Sequence, residues 1–532
     1  DDDDDDGDDD DDERVDVLGG GAAFAANVKA GLRKASALLD DMTTIVDEVV
    51  PCFPPQWRLF DFFVQQYHAR WFNLLTQFAD AFDTLGLLLL MKWVRRDYTF
   101  MLDRLGIDRG ALQPSLYEAL EPTFPLYCAE LRRNIMQWNA RIIDNDLATA
   151  PSDIDQLEGL YITLGPTEFF DNLNQQLVLA RKTLYDDFVL QVVAELGAAI
   201  ADFQRQTREL IERDVEWRAP PEQVLCRGRP LSLEYAVALV NNNSKCYDHA
   251  TDLAAKVVAL VDERHHAAVE QRFEQQARGF HDVAKRALTL VADIMFRDLD
   301  PAFERLFGAE WHAGDDNVMG DVAATFDEYF DDELDTVLER SFSRKLAEHC
   351  LERTVRAYVR ELCTRRHRLS RAATPPNMED DAHALRECFA RRVRDKQLTA
   401  TLSVITELAG LIGADAPSAV PMYFTSLLKG HPDVTIDIVE SLYTQVAEFP
   451  PAAIPEVIDA VRDIWLKQRE KNKADFERDD GLFAGLVPPP APRLNQHTAV
   501  AAVKARGMLD KVTGLVRGEQ DGDVDAAIAA LP

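Results

Sequence analysis

The fold class is decided by the stretch from Phe60 to Leu89, which reads FDFFVQQYHARWFNLLTQFADAFDTLGLLL. Its large apolar side chains recur every three or four residues, which is the spacing of one face of an α-helix. The stripe continues for about eight helical turns, so the sequence predicts a long helix with one buried face. The members of the stripe are Phe60, Phe63, Tyr67, Trp71, Leu74, Phe78, Phe82, Leu85 and Leu89.

Proline spacing extends this helical interpretation to the rest of the chain. No proline lies between Pro55 and Pro114 or between Pro166 and Pro220, and because proline breaks helix interiors, such gaps leave room for long helices. The alternation typical of strands is hard to find, and no Asn-Gly or Asp-Gly turn separates two strand-like runs. We therefore predict an all-α fold with helices at residues 22–49, 57–105, 115–147, 168–217, 231–263, 265–298, 318–338, 341–369, 379–413, 418–428, 433–447, 454–473 and 496–516.

The predicted helices reach about 50 residues, well above the mean of about 12 in globular proteins. Helices of this length indicate an elongated rod of stacked helical bundles. The predicted divisions are a disordered acidic run at 1–15, helical bundles at 16–160, 161–325 and 326–480, and a proline-rich linker and tail at 481–532.

The charge balance limits the classes of partner. The chain carries 92 acidic residues against 58 lysines and arginines, a formal net charge of -34, and twelve of the acids lie within residues 1–13. An acidic surface repels phosphate, which argues against nonspecific binding to nucleic acid. The longest purely aliphatic run, Leu87–Met91, is far shorter than the ~20 residues of a membrane span. Because the chain opens on aspartates without an initiator Met, we expect a fragment of a longer protein.

The sequence contains no motif of a familiar catalytic or cofactor site. The phosphate loop GxxxxGK[ST], the dinucleotide fingerprint GxGxxG after a strand, HExxH and GxSxG are all absent. Cys350 and Cys363 would lie ~20 Å apart on one helix, too far to share a tetrahedral zinc ion. We predict no catalytic, cofactor-binding or metal-binding residue, and no cofactor.

A basic stretch stands out from the acidic chain. From Arg340 to Arg371 ten lysines and arginines face only three glutamates, and Arg353, Arg356 and Arg360 share one helical face by their spacing. Such a face can dock an acidic partner or anionic lipid headgroups. A solvated face, or pairing with the acidic body of the chain, remains the alternative. The candidate docking residues are Arg344, Lys345, Arg353, Arg356, Arg360, Arg365 and Arg366.

Three short patches combine aromatic residues with turn-forming or small polar residues, in a fixed order along the chain. They are the turn PCFPPQW at 51–57 with Tyr67-His68 after it, the run EYAVALVNN at 234–242 with Cys246 after it, and Leu306-Phe307 with Trp311 before Phe330-Asp331-Asp332.

In this order and spacing the patches resemble the family of exocyst complex component three. The resemblance implies a rod of stacked helical bundles, shared with other multisubunit tethers, and an N-terminal coiled coil that would precede residue 1. It also implies that large aromatic residues in the patches, Phe53, Trp57, Tyr67 and Trp311, are packing anchors. The structural motif residues that carry the resemblance are Cys52, Phe53, Pro54, Pro55, Tyr67, His68, Tyr235, Asn241 and Trp311.

The resemblance further implies a function. Members of the family are noncatalytic subunits of the exocyst, the octameric complex that tethers secretory vesicles to the plasma membrane before SNARE-mediated fusion. The implied partners are other exocyst subunits, SNARE proteins and their Sec1-type regulators, without nucleic acid and with mainly indirect membrane contact. The implied location is cytoplasmic, peripheral at plasma-membrane sites of exocytosis. Two alternatives stay open: the related tumour-necrosis-factor-induced branch, a helical scaffold that remodels membranes, and an all-helical enzyme with an unrecognised site.

Overall fold

The computed structural model of the chain describes residues 30–34, 41–78, 84–149, 155–157, 159–183, 186–218, 230–471 and 481–489. Most of these residues are helical and bury apolar faces against one another, so the predicted all-α fold class is confirmed. Contacts group the chain into two compact units, and each unit draws on two separate stretches of sequence. The first unit comprises Asp1–Arg297 and Glu328–Leu346, and the second comprises Asp298–Asp327 and Ala347–Pro532. The division into three bundles stays a prediction.

The first unit is built from long helices with short turns between them. One of the longest is α7, which runs for 33 residues. Turns of π-helix lie at Ile45–Val49, Val94–Tyr98 and Glu328–Leu334. The α-helices are α1 (Leu59–Phe78), α2 (Thr84–Trp93), α3 (Thr99–Arg104), α4 (Leu116–Leu120), α5 (Phe124–Ala148), α6 (Gly165–Thr183), α7 (Asp186–Arg218), α8 (Leu233–Val258) and, up to Arg297, α9 (His266–Phe303).

The second unit is a set of shorter helices around the buried face of α12. Tyr358, Val359 and Leu362 of that helix are fully enclosed. The α-helices of this unit are α10 (Ala309–Ala313), α11 (Val318–Asp327), α12 (Arg340–Thr364) from Ala347 onward, α13 (Thr374–Phe389), α14 (Asp395–Ile412), α15 (Val420–Gly430), α16 (Ile436–Gln445) and α17 (Ile454–Lys471).

The apolar stripe that predicted the first long helix borders the buried face instead of forming its centre. In α1 the buried residues are Val64, His68 and Leu75, whereas Tyr67 and Trp71 are half-buried. The helix is real, but its large aromatic rings lie along the rim of the core. The predicted helix at 496–516 and the acidic run at 1–15 lie outside the described residues.

A short antiparallel hairpin interrupts the helical pattern of the first unit. Strands β1 (Asp155–Leu157) and β2 (Leu160–Ile162) pair with Asp155 opposite Ile162. Gly159 in the turn has a φ of +85°, a left-handed conformation that glycine adopts without a steric cost. Strands of three residues are too short to show a two-residue periodicity, so the sequence analysis missed them.

The helix predicted at 379–413 is in fact two helices, α13 and α14. Arg392 explains the break, because its side chain turns inward and is only 7% exposed. Its Nη1 donates to the carbonyl of Cys388 at 2.9 Å, near the end of α13, and to Asp327 Oδ1 at 2.7 Å. A cation that satisfies a terminal carbonyl is a normal way to end a helix. The contact with Asp327 is tertiary and cannot be predicted from local sequence.

The predicted linker at 481–532 begins with a segment that is packed onto the second unit. Residues 481–489 are described, and Phe483 among them is only 1% exposed. Of the helices that the structure describes, none combines the length and apolarity needed to cross a membrane.

Candidate functional site

The first half of α8 is buried on every side. Ser232 caps the helix by accepting the N–H of Tyr235 at 3.2 Å, and all residues from Tyr235 to Asn243 are buried. Three of them are consecutive asparagines. Because a buried amide without hydrogen bonds is costly, these side chains must find partners inside the unit.

Asn241 joins three segments of the chain. Its Nδ2 donates to the carbonyls of Tyr161 at 2.9 Å and Val337 at 2.8 Å, and its Oδ1 accepts the N–H of Glu339 at 3.0 Å. The N–H of Tyr161 also donates to the Val337 carbonyl at 3.0 Å. One side chain therefore fastens the hairpin and residues 337–339 to α8. We call Asn241 with its three partners the asparagine clamp.

Asn242 extends the network to the end of α5. Its Oδ1 accepts the N–H of Thr163 at 3.1 Å, and its Nδ2 donates to Thr163 Oγ1 at 2.7 Å. That hydroxyl donates in turn to Asp146 Oδ2 at 2.6 Å. Burial raises the pKa of the Asp146 carboxyl to about 6, and the negative charge of Glu168 adds to the shift, while hydrogen bonds from Thr163 and Gly165 oppose it.

A small cavity lies beside this network. Its lining includes Asp146, Tyr235 and Cys246, and its volume is about 20 Å³, which is enough for about one water molecule. Asn243 also lines it, and its buried Oδ1 has no hydrogen-bond partner among the described residues. One water molecule in this space would satisfy that oxygen.

Gly165 gives a direct test of this packing. A Cβ here would lie 3.0 Å from Asp146 Cγ and 3.2 Å from Ile142 Cγ2, and closer still to Asp146 Oδ2. We expect Gly165→Ala to lower the free energy of unfolding by about 1–3 kcal/mol, because the carboxyl must leave the start of α6. Urea denaturation followed by circular dichroism measures the change.

Gly430 provides the matched control for that substitution. It also lies at a helix end, and a Cβ there would meet only Glu407 Oε2 at 3.8 Å. Gly430→Ala should therefore change stability by no more than about 0.5 kcal/mol. Equal effects of the two alanines would contradict the steric argument.

In the second unit, Trp311 is buried as the resemblance implied, at 2% exposure. Its Nε1 donates to Asp381 Oδ2 at 3.1 Å, and the hydroxyl of Tyr358 donates to the same oxygen at 2.9 Å. Phe307 packs on both rings, with centroid distances of 4.9 Å to Trp311 and 5.1 Å to Tyr358. We call Trp311, Tyr358, Phe307 and Asp381 the aromatic–carboxyl cluster.

Two members of this cluster are in unusual states. Phe307 has a φ of +59°, a conformation that costs a bulky residue about 1–3 kcal/mol and that the ring contacts offset. Burial raises the pKa of the Asp381 carboxyl to about 7; Asp380 adds to the shift, and the hydrogen bonds from Tyr358 and Trp311 oppose it. The folded state therefore favours the protonated carboxyl well above its ordinary pKa of 3.8.

This shift predicts a pH dependence of stability. A carboxyl whose pKa is higher in the folded state stabilises fully below about pH 4, and its contribution is lost as the pH rises through about 7. Asp381→Asn keeps an oxygen acceptor for Trp311 and Tyr358 but cannot ionise. We expect the variant to lose less stability than the parent between about pH 4 and 8, measured by urea denaturation at each pH. Parallel curves for the two proteins would contradict this expectation.

The N-terminal patch does not behave as predicted. Phe53 is 41% exposed and Trp57 is 62% exposed, so their predicted role as packing anchors is wrong. They contact each other, with ring centroids 5.7 Å apart, on short 3₁₀ turns at Val50–Cys52 and Pro55–Trp57. Each turn has a proline at one of its first two positions. The motif residues Cys52, Pro54 and Pro55 are exposed as well.

His68 is the buried member of that patch. Its Nε2 donates to the Pro114 carbonyl at 2.7 Å, and its Nδ1 pairs with the Tyr98 hydroxyl at 2.6 Å. The ring thus fixes the turn at Pro114 against α1. Tyr67, its neighbour, is half-buried.

The structure separates the predicted basic residues into two groups. Arg344 and Lys345 are exposed and belong to the first unit, and Lys345 lies 4.8 Å from the centroid of the Phe342 ring. The other five are in the second unit, where all but the half-buried Arg353 are exposed. They are Arg353, Arg356, Arg360, Arg365 and Arg366.

Two of these five arginines have partners that show what the surface can bind. Arg365 pairs with Glu361 at 2.9 Å, and Arg356 donates to the backbone carbonyl of Gly481 at 3.1 Å. We call the five the arginine surface. Its chemistry is the binding of carboxylate and carbonyl oxygens.

Three cysteines in the interior of the described residues are packing groups. Cys246, Cys350 and Cys363 are fully buried, and burial raises the pKa of each thiol. No cluster of three or more His, Cys, Asp or Glu side chains suited to a metal ion occurs in the part of the chain that the structure describes.

These features define a class of helical-bundle proteins in which the buried polar groups hold helices together and exposed aromatic and basic groups face outward. The chain belongs to the family of exocyst complex component Sec6, whose profile matches residues 14–445. The expected family of exocyst complex component three is therefore confirmed.

Individual relatives agree with this family. The chain is 22% identical to exocyst complex component SEC6 of Saccharomyces cerevisiae, over 55% of this chain and 38% of the relative. It is 20% identical to sec6 of Schizosaccharomyces pombe, over 77% and 54%, and 22% identical to exocyst complex component 3 of Drosophila melanogaster, over 85% and 60%. The chain thus spans between 38% and 60% of the length of these relatives. Neither alternative function is favoured by the matches.

Two solved structures share the fold. The crystal structure of the C-terminal domain of the exocyst subunit Sec6p superposes with a TM-score of 0.59 at 17% identity, covering 70% of this chain and 98% of that one. The crystal structure of M-Sec superposes with a TM-score of 0.56 at 15% identity, covering 86% and 75%.

Proposed function

We propose that the chain acts as a noncatalytic subunit of the exocyst and helps to tether secretory vesicles to the plasma membrane before SNARE-mediated fusion. The observation that carries this proposal is the family match, which extends over residues 14–445. The proposal places the protein at plasma-membrane sites of exocytosis, as a peripheral component that reaches the membrane mainly through its partners. Those partners are other exocyst subunits, SNARE proteins and Sec1-type regulators.

The side-chain chemistry of the described residues supports a binding role rather than a catalytic one. Raised thiol pKa values at Cys246, Cys350 and Cys363 keep these sulfurs protonated, which makes them poor nucleophiles. Asp146 and Asp381, two carboxyls whose pKa burial raises, accept hydrogen bonds from hydroxyl or indole groups. Both carboxyls therefore hold helices in place.

Co-purification tests the assignment. The chain, expressed at native level, should be recovered with a tagged exocyst subunit and should recover the other subunits in turn. A matched pull-down with an unrelated tagged protein measures the background. Failure to recover any exocyst subunit would remove the assignment.

We further propose that the arginine surface docks an acidic segment of a partner protein. Its support is the chemistry already seen there: Arg365 binds a carboxylate and Arg356 binds a carbonyl oxygen. Arginine is better suited than lysine to planar carboxylates, because its fork of donors binds both oxygens. The surface is cationic within a chain of net charge -34, so it attracts acidic segments.

Charge reversal at two positions tests this docking. We expect Arg353→Glu with Arg360→Glu to reduce recovery of exocyst subunits at least about fivefold at low salt, because four units of charge change at one surface. Arg356 is left intact since it binds Gly481. The control is Arg278→Glu with Lys285→Glu, which makes the same change of charge on exposed residues of α9.

Binding to lipid vesicles distinguishes docking of a protein from binding of anionic lipid headgroups. Phosphatidylcholine vesicles with and without about 20% phosphatidylserine are sedimented with each variant. Retained subunit recovery together with loss of serine-lipid binding would assign the surface to anionic headgroups and overturn the protein-docking proposal. Unchanged binding in both assays would leave only a solvated face.

A further inference from the structure

The segment 481–489, GLFAGLVPP, is held to the second unit by one ring and two backbone groups. The Phe483 side chain is 1% exposed, and its ring packs edge-on against His431 with centroids 5.8 Å apart. The backbone N–H of Phe483 donates to Asp433 Oδ2, and the backbone carbonyl of Gly481 accepts from Arg356 Nη1 at 3.1 Å. We call the site formed by His431, Asp433 and Arg356 the Phe483 pocket.

The pocket also selects the residue at position 481. A Cβ on Gly481 would lie 2.8 Å from Asp433 Cβ and closer still to its carboxyl group. Asp433 Cβ cannot move away by a simple rotamer change, so a side chain at this position is excluded. The pocket therefore selects two residues of the segment, a glycine at its first position and a phenylalanine at its third.

Gly485 and Val487, later in the segment, lie outside this pocket. Gly485 is exposed and Val487 is 78% exposed. The N–H of Ala484 donates to the Gly481 carbonyl at 3.4 Å, so residues 481–484 form a turn closed by their own hydrogen bond. Recognition by backbone hydrogen bonds plus one side-chain pocket is how proteins bind short peptides from other chains. Nothing in these contacts depends on the peptide being part of the same chain.

We propose that the Phe483 pocket is a docking site for a peptide of a partner protein with Gly at its first position and Phe at its third, and that residues 481–489 occupy it in cis when the partner is absent. The partner peptide displaces the cis segment and uses the same Asp433 and Arg356 contacts. This proposal goes beyond the tethering function and does not rest on it, because the pocket and its cis ligand both lie in this chain.

Residues 481–489 compete with a free peptide for the Phe483 pocket. A segment tethered close to its site acts at an effective concentration of about 1 mM. A free peptide with a Kd of about 100 µM for the empty pocket would then bind the parent chain about tenfold more weakly. Weakening the cis segment should uncover the site.

The experiment measures binding of a fluorescent 481–489 peptide, Gly-Leu-Phe-Ala-Gly-Leu-Val-Pro-Pro, by anisotropy. We expect the intact chain with Phe483→Ala to bind the peptide at least about tenfold more tightly than the parent chain does. Val487→Ala serves as the control variant, because it alters an exposed residue of the same segment and should bind like the parent. If the Phe483→Ala variant keeps its helicity and still binds no more peptide than the parent chain, the proposal is overturned.

Two altered peptides distinguish pocket binding from general stickiness. Replacement of the peptide Phe by Ala removes the ring, and replacement of its first Gly by Ala introduces the Cβ that Asp433 excludes. Both should bind the Phe483→Ala variant at least about tenfold more weakly, since each loses a feature the pocket reads. A Gly→Ala peptide that binds as well as the parent peptide would overturn the assignment of specificity.

Size-exclusion chromatography tests the competing occupant, a second copy of this chain. We expect the parent chain to elute at one size with and without the peptide. A dimer that the peptide dissociates would assign the pocket to exchange of the 481–489 segment between copies and would overturn the partner proposal. Because all these measurements use the isolated chain, their failure is separate from a failure to co-purify exocyst subunits.

Discussion

Trp311→Ala should lower the free energy of unfolding of the second unit by about 3–5 kcal/mol. The substitution empties the space of a large buried ring and removes the indole N–H that donates to Asp381. It also removes a ring contact of Phe307, which holds a left-handed backbone conformation. Because a chain of two units need not unfold in one step, hydrogen exchange of the amides of α13 gives the clearest measurement.

Trp57→Ala is the control for that substitution. Both tryptophans belong to patches that resemble the same family, but Trp57 is 62% exposed. Its loss should change stability by no more than about 0.5 kcal/mol. The prediction would be contradicted if Trp57→Ala speeds hydrogen exchange in α13, or if Trp311→Ala leaves the exchange rate there unchanged.

Asn241→Ala should cost about 2–4 kcal/mol, because it removes three hydrogen bonds and leaves buried backbone groups unpaired. The carbonyls of Tyr161 and Val337 lose a donor, and the N–H of Glu339 loses its acceptor. We expect faster hydrogen exchange in the hairpin at 155–162 and around residues 337–339. Urea denaturation should show a lower midpoint for the first unit.

The neighbouring Asn243 is a closely matched control. It is equally buried, but its Nδ2 makes one local bond, to the Leu239 carbonyl at 2.7 Å, and its Oδ1 has no partner among the described residues. Asn243→Ala should therefore cost only about 1 kcal/mol and should leave exchange in the hairpin unchanged. If both alanine variants loosened the hairpin equally, the clamp would not be the cause.

The fold class followed from local sequence because a helix buries one face at intervals of three and four residues. That signal is local, so α1 and the stretch from α2 to α3 were predicted within a single helical run. The break between α13 and α14 depends on Arg392 reaching Asp327, 65 residues away. The hairpin at 155–162 depends on an amide about 80 residues along the chain. Such partners are set by tertiary packing, which produces no periodic pattern in the local sequence.

The candidate sites also combine residues that the sequence could identify with partners that it could not. The resemblance pointed to Asn241 and Trp311, but it did not identify their partners Glu339 and Asp381, since an isolated carboxylate in a sequence looks like any other. It also suggested that Phe53 and Trp57 are buried, whereas both side chains are exposed. Phe483 did have a signal: Gly-Leu-Phe interrupts a run of charged residues ahead of the proline-rich stretch.

The asparagine clamp has a consequence for how the protein is made. Asn241 completes its hydrogen bonds only with Val337 and Glu339, which leave the ribosome about a hundred residues later in synthesis. Until then the only one of these partners in the half-finished chain is the carbonyl of Tyr161. The first unit therefore cannot mature before residues of the second have been translated, because the stretch Asp298–Asp327 is synthesised in between. Protection from proteases during translation should accordingly appear late for α8, well after that helix has emerged.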